Sequence, residues 1–193
     1  MTDSEVVAET RGPRPGKRDR LIEAATELIH RQGVEKTTLA DIAEAADVPL
    51  GNVYYYFKSK DALVRAVVDT HVQGTDDTIE ILNRHRTPKA RLKALVRLLA
   101  DRGDLIAQFG CPHGTLCSEL EKTNADHDVG RLMTRPMAWL EEQFRALGRK
   151  DAHELAISLL VNYQGTAVLT HALRDPTLLA DAGKRLERWI DSL

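Results

Sequence analysis

The chain has 193 residues, of which 42% are hydrophobic and 29% are charged, and its formal net charge is -2. This length and composition predict an ordered globular protein with a small head and a larger body. The near-neutral charge excludes a polyanion-binding surface spread over the whole molecule, so any nucleic-acid surface must be local.

The sequence has no apolar run of the roughly 18 residues that a membrane span requires, and its polar start does not resemble a signal peptide. Cys111 and Cys117 are too few for a secreted disulfide scaffold and favour reduced thiols. We therefore expect a cytoplasmic protein.

Residues 1–16 are predicted to form a flexible basic arm. Residues 11–20 carry five basic side chains and one acidic side chain, together with two prolines and two glycines. This composition favours a solvated tail. A phosphate-binding role stays open, because the arm directly precedes the first helix.

Four helices are predicted in the head. The first covers 17–32 and ends at Gly33 in a left-handed cap, and the second covers about 39–46, with Thr38 as its N-cap and Asp41 completing a capping box. Pro49 suits the first turn of a short third helix that ends near Tyr56. Ser59 caps the fourth helix, which runs to about residue 83. Helices two and three have the size of a helix-turn-helix.

Three consecutive tyrosines distinguish the third helix. Successive helical positions lie about 100° apart, so at least one tyrosine must face outward. Val53 and Phe57 are expected to face inward, which leaves Tyr54 and Tyr55 outward and Tyr56 ambiguous. A tyrosine offers DNA both a hydroxyl and a ring. Gly51 is explained equally well by a close approach to DNA or by tight packing on the first helix.

The body is predicted to be helical throughout, at about 88–103, 112–122, 128–148, 151–173 and 176–192. The segment 155–173 is apolar on more than one face, and the last helix has its own apolar stripe. A monomer could hardly cover both surfaces, which predicts a homodimer through the last two helices.

Polar and aromatic residues within the apolar body helices are candidates for an effector pocket. They are Phe109, His113, Trp139, Phe144, Asn162, Tyr163, Gln164, Thr166 and His171. As a set they indicate a largely apolar effector. A metal or redox sensor through Cys111, His113 and Cys117 is an alternative, although their spacing matches no standard zinc pattern. We expect no metal and no cofactor.

Two stretches, "LIEAATELIHRQG" and "TTLADIAEAADVPLGNVYYYFKSKDALV", resemble the DNA-binding head of the TetR family of bacterial transcriptional regulators. The resemblance implies an all-α homodimer with a DNA-binding head at 17–69 and an effector-binding and dimerisation domain at 70–193. The DNA contacts expected from the resemblance and from the position of the third helix are Thr38, Gly51, Asn52, Tyr54, Tyr55, Tyr56, Lys58 and Lys60.

Two positions depart from the family pattern, because Pro49 stands where Ser or Thr is common and Tyr56 replaces a frequent His. The operator sequence of a relative therefore cannot be transferred to this chain. The predicted function is a ligand-responsive repressor that binds a palindromic operator and has no catalytic activity. The rival hypothesis is an all-α enzyme or small-molecule carrier, but no catalytic triad or phosphate loop supports it.

Overall fold

The computed structural model describes residues 15–122 and 127–193, and within these ranges every regular element is an α-helix. The helices are α1 Lys17–Gln32, α2 Leu39–Ala45, α3 Leu50–Tyr56, α4 Lys60–Asn83, α5 Pro88–Ala100, α6 Gly103–Phe109, α7 Pro112–Leu120, α8 Arg131–Ala146, α9 Ala152–Leu173 and α10 Thr177–Ser192. The predicted all-α fold is confirmed. Residues 1–14 of the basic arm lie outside the described residues.

The capping signals in the head are confirmed. The Thr38 hydroxyl accepts a hydrogen bond from the Asp41 backbone N–H at 3.1 Å, and an Asp41 carboxylate oxygen accepts one from the Thr38 N–H at 2.9 Å. The Ser59 hydroxyl likewise accepts from the Ala62 N–H at 3.1 Å at the start of α4. These bonds satisfy backbone donors that have no partner within the helix.

Two local predictions in the head were wrong in detail. Gly33 has φ 87° and ψ 164°, a positive φ but not the left-handed helical conformation, so the chain leaves α1 extended. Pro49 is the N-cap of α3, one position before the first helical residue. The preceding Asp47, with φ 51°, makes the sharp turn from α2 to α3.

Helix α6 is not among the predicted helices, because the sequence pattern predicts one helix over 88–103 and none over 104–111. The chain breaks at Asp101 and Arg102 and starts again at Gly103. A Cβ on Gly103 would lie 2.9 Å from the carbonyl oxygen of Pro176, so the break lets the backbone pass close to the start of α10. Helix α6 lacks a side-chain N-cap like the one that marks α2, and its seven residues are too few to show a clear apolar period.

The apolar stripe of α10 does not need a partner subunit, contrary to the expectation that a monomer would leave it uncovered. It packs on α5, where a Cβ on Gly183 would come within 2.8 Å of the Ala100 Cβ. Ion pairs flank this contact, with Lys93 Nζ 2.7 Å from Asp191 Oδ2 and Arg97 Nη2 2.6 Å from Glu187 Oε2. The uncovered apolar face belongs to α9.

The buried residues form a head cluster and two body clusters. The head cluster contains Leu21, Ile42, Val53 and Phe57, and it also includes Leu116 of α7 and other residues from the α7 to α8 region. The body clusters lie between α4, α5, α6, α8, α9 and α10. Helix α4 is continuous across the boundary predicted at residue 69, which stays a prediction.

Candidate nucleic-acid interface and ligand cavity

Helix α3 presents two tyrosines to solvent and is anchored by the residues on either side of the tyrosine run. Tyr54 is 51% exposed and Tyr55 is 75% exposed, whereas Val53 and Phe57 are buried in the head cluster. The helix is therefore held from one side only. Its outer side offers two phenol groups with no competing contact from the head core.

Gly51 lies on the same outer side of α3. A Cβ placed there would meet no heavy atom within 4 Å, so the explanation that Gly51 permits tight packing on α1 was wrong. A glycine inside a helix costs about 1 kcal/mol relative to alanine. Nothing within the described head offsets that cost, which supports a role outside the folded chain.

Tyr56 differs from the two exposed tyrosines. It is half-buried, packs against the head cluster and meets the Tyr55 ring edge to face, with ring centroids 5.0 Å apart. Its contact supports the orientation of Tyr55. Asn52 is also half-buried, one position before Val53.

The remaining predicted contacts border α3. Lys58 Nζ donates to the Tyr54 carbonyl at 3.0 Å, and Lys60 Nζ donates to the Glu35 carbonyl at 3.2 Å. Thr38 is exposed, but its hydroxyl is engaged in the cap of α2. The cap hydrogen bonds from Thr38 also lower the pKa of Asp41, which keeps that carboxylate ionised.

Two further cations lie in this region and were not among the predicted contacts. The Arg18 guanidinium stands over the Phe57 ring at 5.5 Å, and Lys36 is exposed in the turn before α2. In the sequence, Arg18 is one of several basic residues near the predicted arm. No local pattern marked it as a neighbour of α3, because 39 positions of chain separate it from Phe57.

The body contains a cavity of about 210 Å³. It is enclosed by α4, α5, α7, α8 and α9 and by Arg102, which lies between α5 and α6. Its lining residues are His71, Gly74, Thr75, Thr78, Ile79, Leu82, Leu95, Leu98, Leu99, Arg102, His113, Leu132, Met133, Pro136, Trp139, Leu140, Leu159, Leu160, Tyr163 and Gln164.

Four of the predicted effector residues line this cavity: His113, Trp139, Tyr163 and Gln164. The Trp139 indole N–H donates to the Asn83 side-chain oxygen at 3.0 Å, which fixes its ring in the cavity wall. The other predicted effector residues, Phe109, Phe144, Asn162, Thr166 and His171, lie outside the cavity.

Each of the residues outside the cavity has another place in the fold. Phe109 packs against His30 at the junction of α6 with α1, and Phe144 is fully buried beside Trp189. The Nδ1 atom of His171 lies within hydrogen-bond distance of the Ala107 carbonyl oxygen, at 3.3 Å. The Thr166 hydroxyl donates to the Asn162 carbonyl on the outer side of α9. Helical spacing alone does not distinguish these positions from cavity positions.

The polar end of the cavity was only partly predicted. His71 and His113 meet edge to face, with ring centroids 5.3 Å apart. Burial lowers the pKa of each imidazole to about 4, with smaller contributions from neighbouring positive groups that include Arg102. Both rings are therefore neutral near pH 7. Burial also raises the pKa of Tyr163, which keeps its hydroxyl protonated.

The family model described as "Bacterial regulatory proteins, tetR family" matches residues 21–67, which include all of α2 and α3. The transcriptional regulator TtgR of Pseudomonas putida is 28% identical, in an alignment that covers 97% of this chain and 94% of that protein. The DNA-binding head of this chain is therefore a TetR-family domain.

Similarity to transcriptional regulators extends beyond the head and over most of the chain. An HTH-type regulator of Lactococcus lactis, not yet characterised, is 27% identical over 84% of this chain and 87% of its own. The crystal structure of a TetR regulator from Legionella pneumophila superposes with a TM-score of 0.81 at 18% identity, covering 94% of this chain and 98% of that one. The head and body thus share one known fold, and the chain is a transcriptional regulator.

The two cysteines of this regulator do not converge on a site. Cys111 is buried and accepts a weak hydrogen bond from the Tyr163 hydroxyl at 3.9 Å, while the Cys117 thiol lies 3.6 Å from the Val129 carbonyl. Both are free thiols. Within residues 15–122 and 127–193, no group of three or more His, Cys, Asp or Glu side chains is placed to hold a metal.

Proposed function

We propose that this regulator binds a palindromic operator as a homodimer and is released by a small, largely apolar effector in the body cavity. The observation that carries the proposal is the double role of α4. Its first half supplies Leu63 and Val67 to the head cluster, and its second half supplies Thr78 and Leu82 to the cavity wall. Helix α4 therefore contacts both the core of the head and the cavity of the body.

Operator binding is supported by the outer side of α3. Tyr54, Tyr55 and Gly51 offer hydroxyls, rings and close backbone access, with Lys58 and Lys60 at the flank for phosphates. The action is proposed to be occupancy of the operator without catalysis, as expected from relatives that are transcriptional regulators. No helix in the described part of the chain is long and apolar enough to cross a membrane.

Dimerisation is supported by the uncovered face of α9. Val161 is 64% exposed, Val168 is 66% exposed, and Ile157, Leu169 and Leu173 are also exposed. Adjacent apolar side chains on one helix face indicate a protein interface. The outer face of α10 is mainly charged, so we assign the apolar contact to α9 and the polar rim to α10. Two such pairs would form a four-helix interface about a two-fold axis.

Regulation follows from the spacing that DNA demands. Two recognition helices must lie about 34 to 36 Å apart to enter successive major grooves on one side of B-DNA. Rotation of α4 changes that spacing, so an effector that prefers the rotated state lowers operator affinity. A coupling of about 1 to 3 kcal/mol corresponds to a decrease of about 5- to 150-fold, and operator DNA must weaken the effector by the same factor.

The test combines assembly with DNA binding. Val161→Glu places a charge in the proposed interface of each subunit and is expected to yield a folded monomer that no longer binds a palindromic duplex selected by the native protein. Ile81→Glu, at an exposed apolar position of α4 outside the two helices of the proposed interface, is the control and is expected to stay dimeric. Sedimentation velocity and gel shift measure both properties. A Val161→Glu variant that remains a tight dimer would reject the α9 interface.

A further inference from the structure

The body cavity has two chemically different ends. One end is lined by Ile79, Leu82, Trp139 and neighbouring leucines, and the other by His71, Arg102 and His113 with Tyr163 and Gln164. No aspartate or glutamate is among the described residues that line it. The permanent charge at the cavity is therefore the positive charge of Arg102, because a guanidinium stays protonated in proteins.

The polar end holds more donors than acceptors. Neither His71 nor His113 forms a side-chain hydrogen bond to any described residue. The Tyr163 hydroxyl donates only to the Cys111 sulfur at 3.9 Å, and Gln164 Nε2 donates only to the Met133 sulfur at 3.7 Å. Sulfur is a weak acceptor, so these donors keep most of their capacity for a ligand oxygen.

The donors of the Arg102 guanidinium are likewise available for a ligand oxygen. Its guanidinium has no carboxylate partner among residues 15–122 and 127–193, in contrast to Arg97, which is paired with Glu187 at 2.6 Å. Arg102 is exposed while it lines the cavity, which places it at the mouth. An unpaired guanidinium with adjacent neutral donors is suited to a carboxylate, which accepts several hydrogen bonds at once.

We propose that the ligand of this cavity is a small apolar carboxylic acid, bound as its anion. Its carboxylate lies at the end formed by Arg102, His71 and His113, and its hydrocarbon part lies against Ile79, Leu82 and Trp139. The inference rests on the proposed function in one respect, since it takes this cavity as the effector site. It adds the chemical class of the effector.

The cavity volume limits the hydrocarbon part. An apolar cavity of roughly 150 Å³ is large enough to hold benzene. The cavity of about 210 Å³ therefore accommodates one ring with a short acid-bearing chain, or an aliphatic chain of similar volume. An amine of the same shape would meet Arg102 with like charge, and a neutral alcohol would leave the guanidinium without a counter-charge.

The test measures binding to the full-length protein by calorimetry with three acids of different shape: 3-phenylpropanoate, 4-tert-butylbenzoate and octanoate. Each acid is compared with the alcohol of the same carbon skeleton. At least one acid is expected to bind about 10-fold or more tightly than its alcohol, as hydrogen bonds to a charged group are stronger than neutral ones. If no acid exceeds its alcohol, the carboxylate assignment is overturned.

Variants of Arg102 test whether this residue causes the preference for the acid over the alcohol. Arg102→Gln is expected to remove the preference for the acid while leaving the alcohol affinity within about 2-fold, whereas Arg102→Lys retains part of the preference because it keeps the charge. The matched control is Arg185→Gln on the outer face of α10. An acid preference that survives Arg102→Gln would overturn the assignment of Arg102, and thermal melts establish that each variant is folded.

A gel shift with a palindromic duplex selected by the protein separates this inference from the proposed function. If the acid binds in an Arg102-dependent way and releases DNA, both are supported. If it binds in that way and leaves DNA bound, the ligand class is supported and effector release is overturned. If an alcohol binds as tightly as the acid and releases DNA, the ligand class falls and the regulatory function stands.

Discussion

The head and the body place their unpartnered polar groups on opposite sides of their cores. In the head, Tyr54 and Tyr55 point away from a small core that α3 seals with Val53 and Phe57. In the body, His71 and His113 lie inward, around a cavity left between five helices. A short helix on a small core has no room to enclose a ligand, whereas five helices packed around a common space do. The difference locates an outer contact surface in the head and an inner one in the body.

The largest effect expected from this difference is a loss of stability at low pH that originates in the body. His71 and His113 have their pKa values lowered to about 4, mainly by burial, against about 6.5 in an unfolded chain. Between these values the unfolded state binds more protons, so the free energy of unfolding falls as pH decreases from 6.5 to 4. Each imidazole contributes up to about 3 kcal/mol.

Chemical denaturation at a series of pH values measures this effect. His113→Asn is expected to reduce the pH dependence between 4 and 6.5, while the exposed His85→Asn is expected to leave it unchanged. The neighbours His30 and Arg102 oppose protonation of His71, and His71 and Arg102 oppose protonation of His113. Equal pH profiles for His113→Asn and the native protein would show that His113 is not held neutral by burial.

The second effect tests the outward surface of the head. Tyr55→Ala is expected to keep the native stability, because the side chain is mostly exposed, and to lose about 1 to 3 kcal/mol of discrimination for each base contact. Tyr56→Ala is expected to lower the melting temperature as well, since Tyr56 packs on the head cluster. Fluorescence anisotropy with selected and random duplexes distinguishes them. Equal losses on both duplexes would make Tyr55 a backbone contact.

The third prediction separates stability from DNA binding at Gly51. Gly51→Ala is expected to stabilise the protein by up to about 1 kcal/mol, because the helix gains a better former and the new Cβ meets nothing. Operator affinity is expected to fall by about 1 to 3 kcal/mol, the usual cost of an added methyl in a close contact. Gly130→Ala, just before α8, is the control, with open space around its Cβ and no contact with DNA expected. Undiminished operator binding by Gly51→Ala would exclude close approach.

The smallest effect is electrostatic. Lys60→Ala removes one phosphate contact per subunit, so the slope of log affinity against log salt is expected to flatten by about 2 per dimer. Affinity is expected to fall equally for selected and random duplexes. A gel-shift series at increasing salt gives the slope, and an unchanged slope assigns Lys60 only its hydrogen bond to the Glu35 carbonyl.

The sequence by itself determined the helices of the head and the N-caps of α2 and α4. Thr38 with Asp41 and Ser59 with Ala62 are local pairs within four residues, so their geometry follows from the backbone of a single helix end. The outward position of Tyr55 follows from the same local rule, because Val53 and Phe57 lie one turn apart on the buried side. Relations of this kind need no knowledge of distant residues.

The tertiary structure alone decided where the cavity lies and which apolar face remains uncovered. His71 lies on α4, Arg102 lies in the break before α6, and His113 lies on α7. Only packing brings these three residues together. Phe109 and Phe144 were equally good candidates by helical spacing, yet one packs beside α1 and the other fills the core. Helix α5, more than 80 residues earlier in the chain, covers the apolar stripe of α10. That stripe therefore needs no partner subunit, whereas the apolar face of α9 stays exposed. Burial depends on neighbours distant in sequence, and helical periodicity records only that a face is apolar, not what covers it.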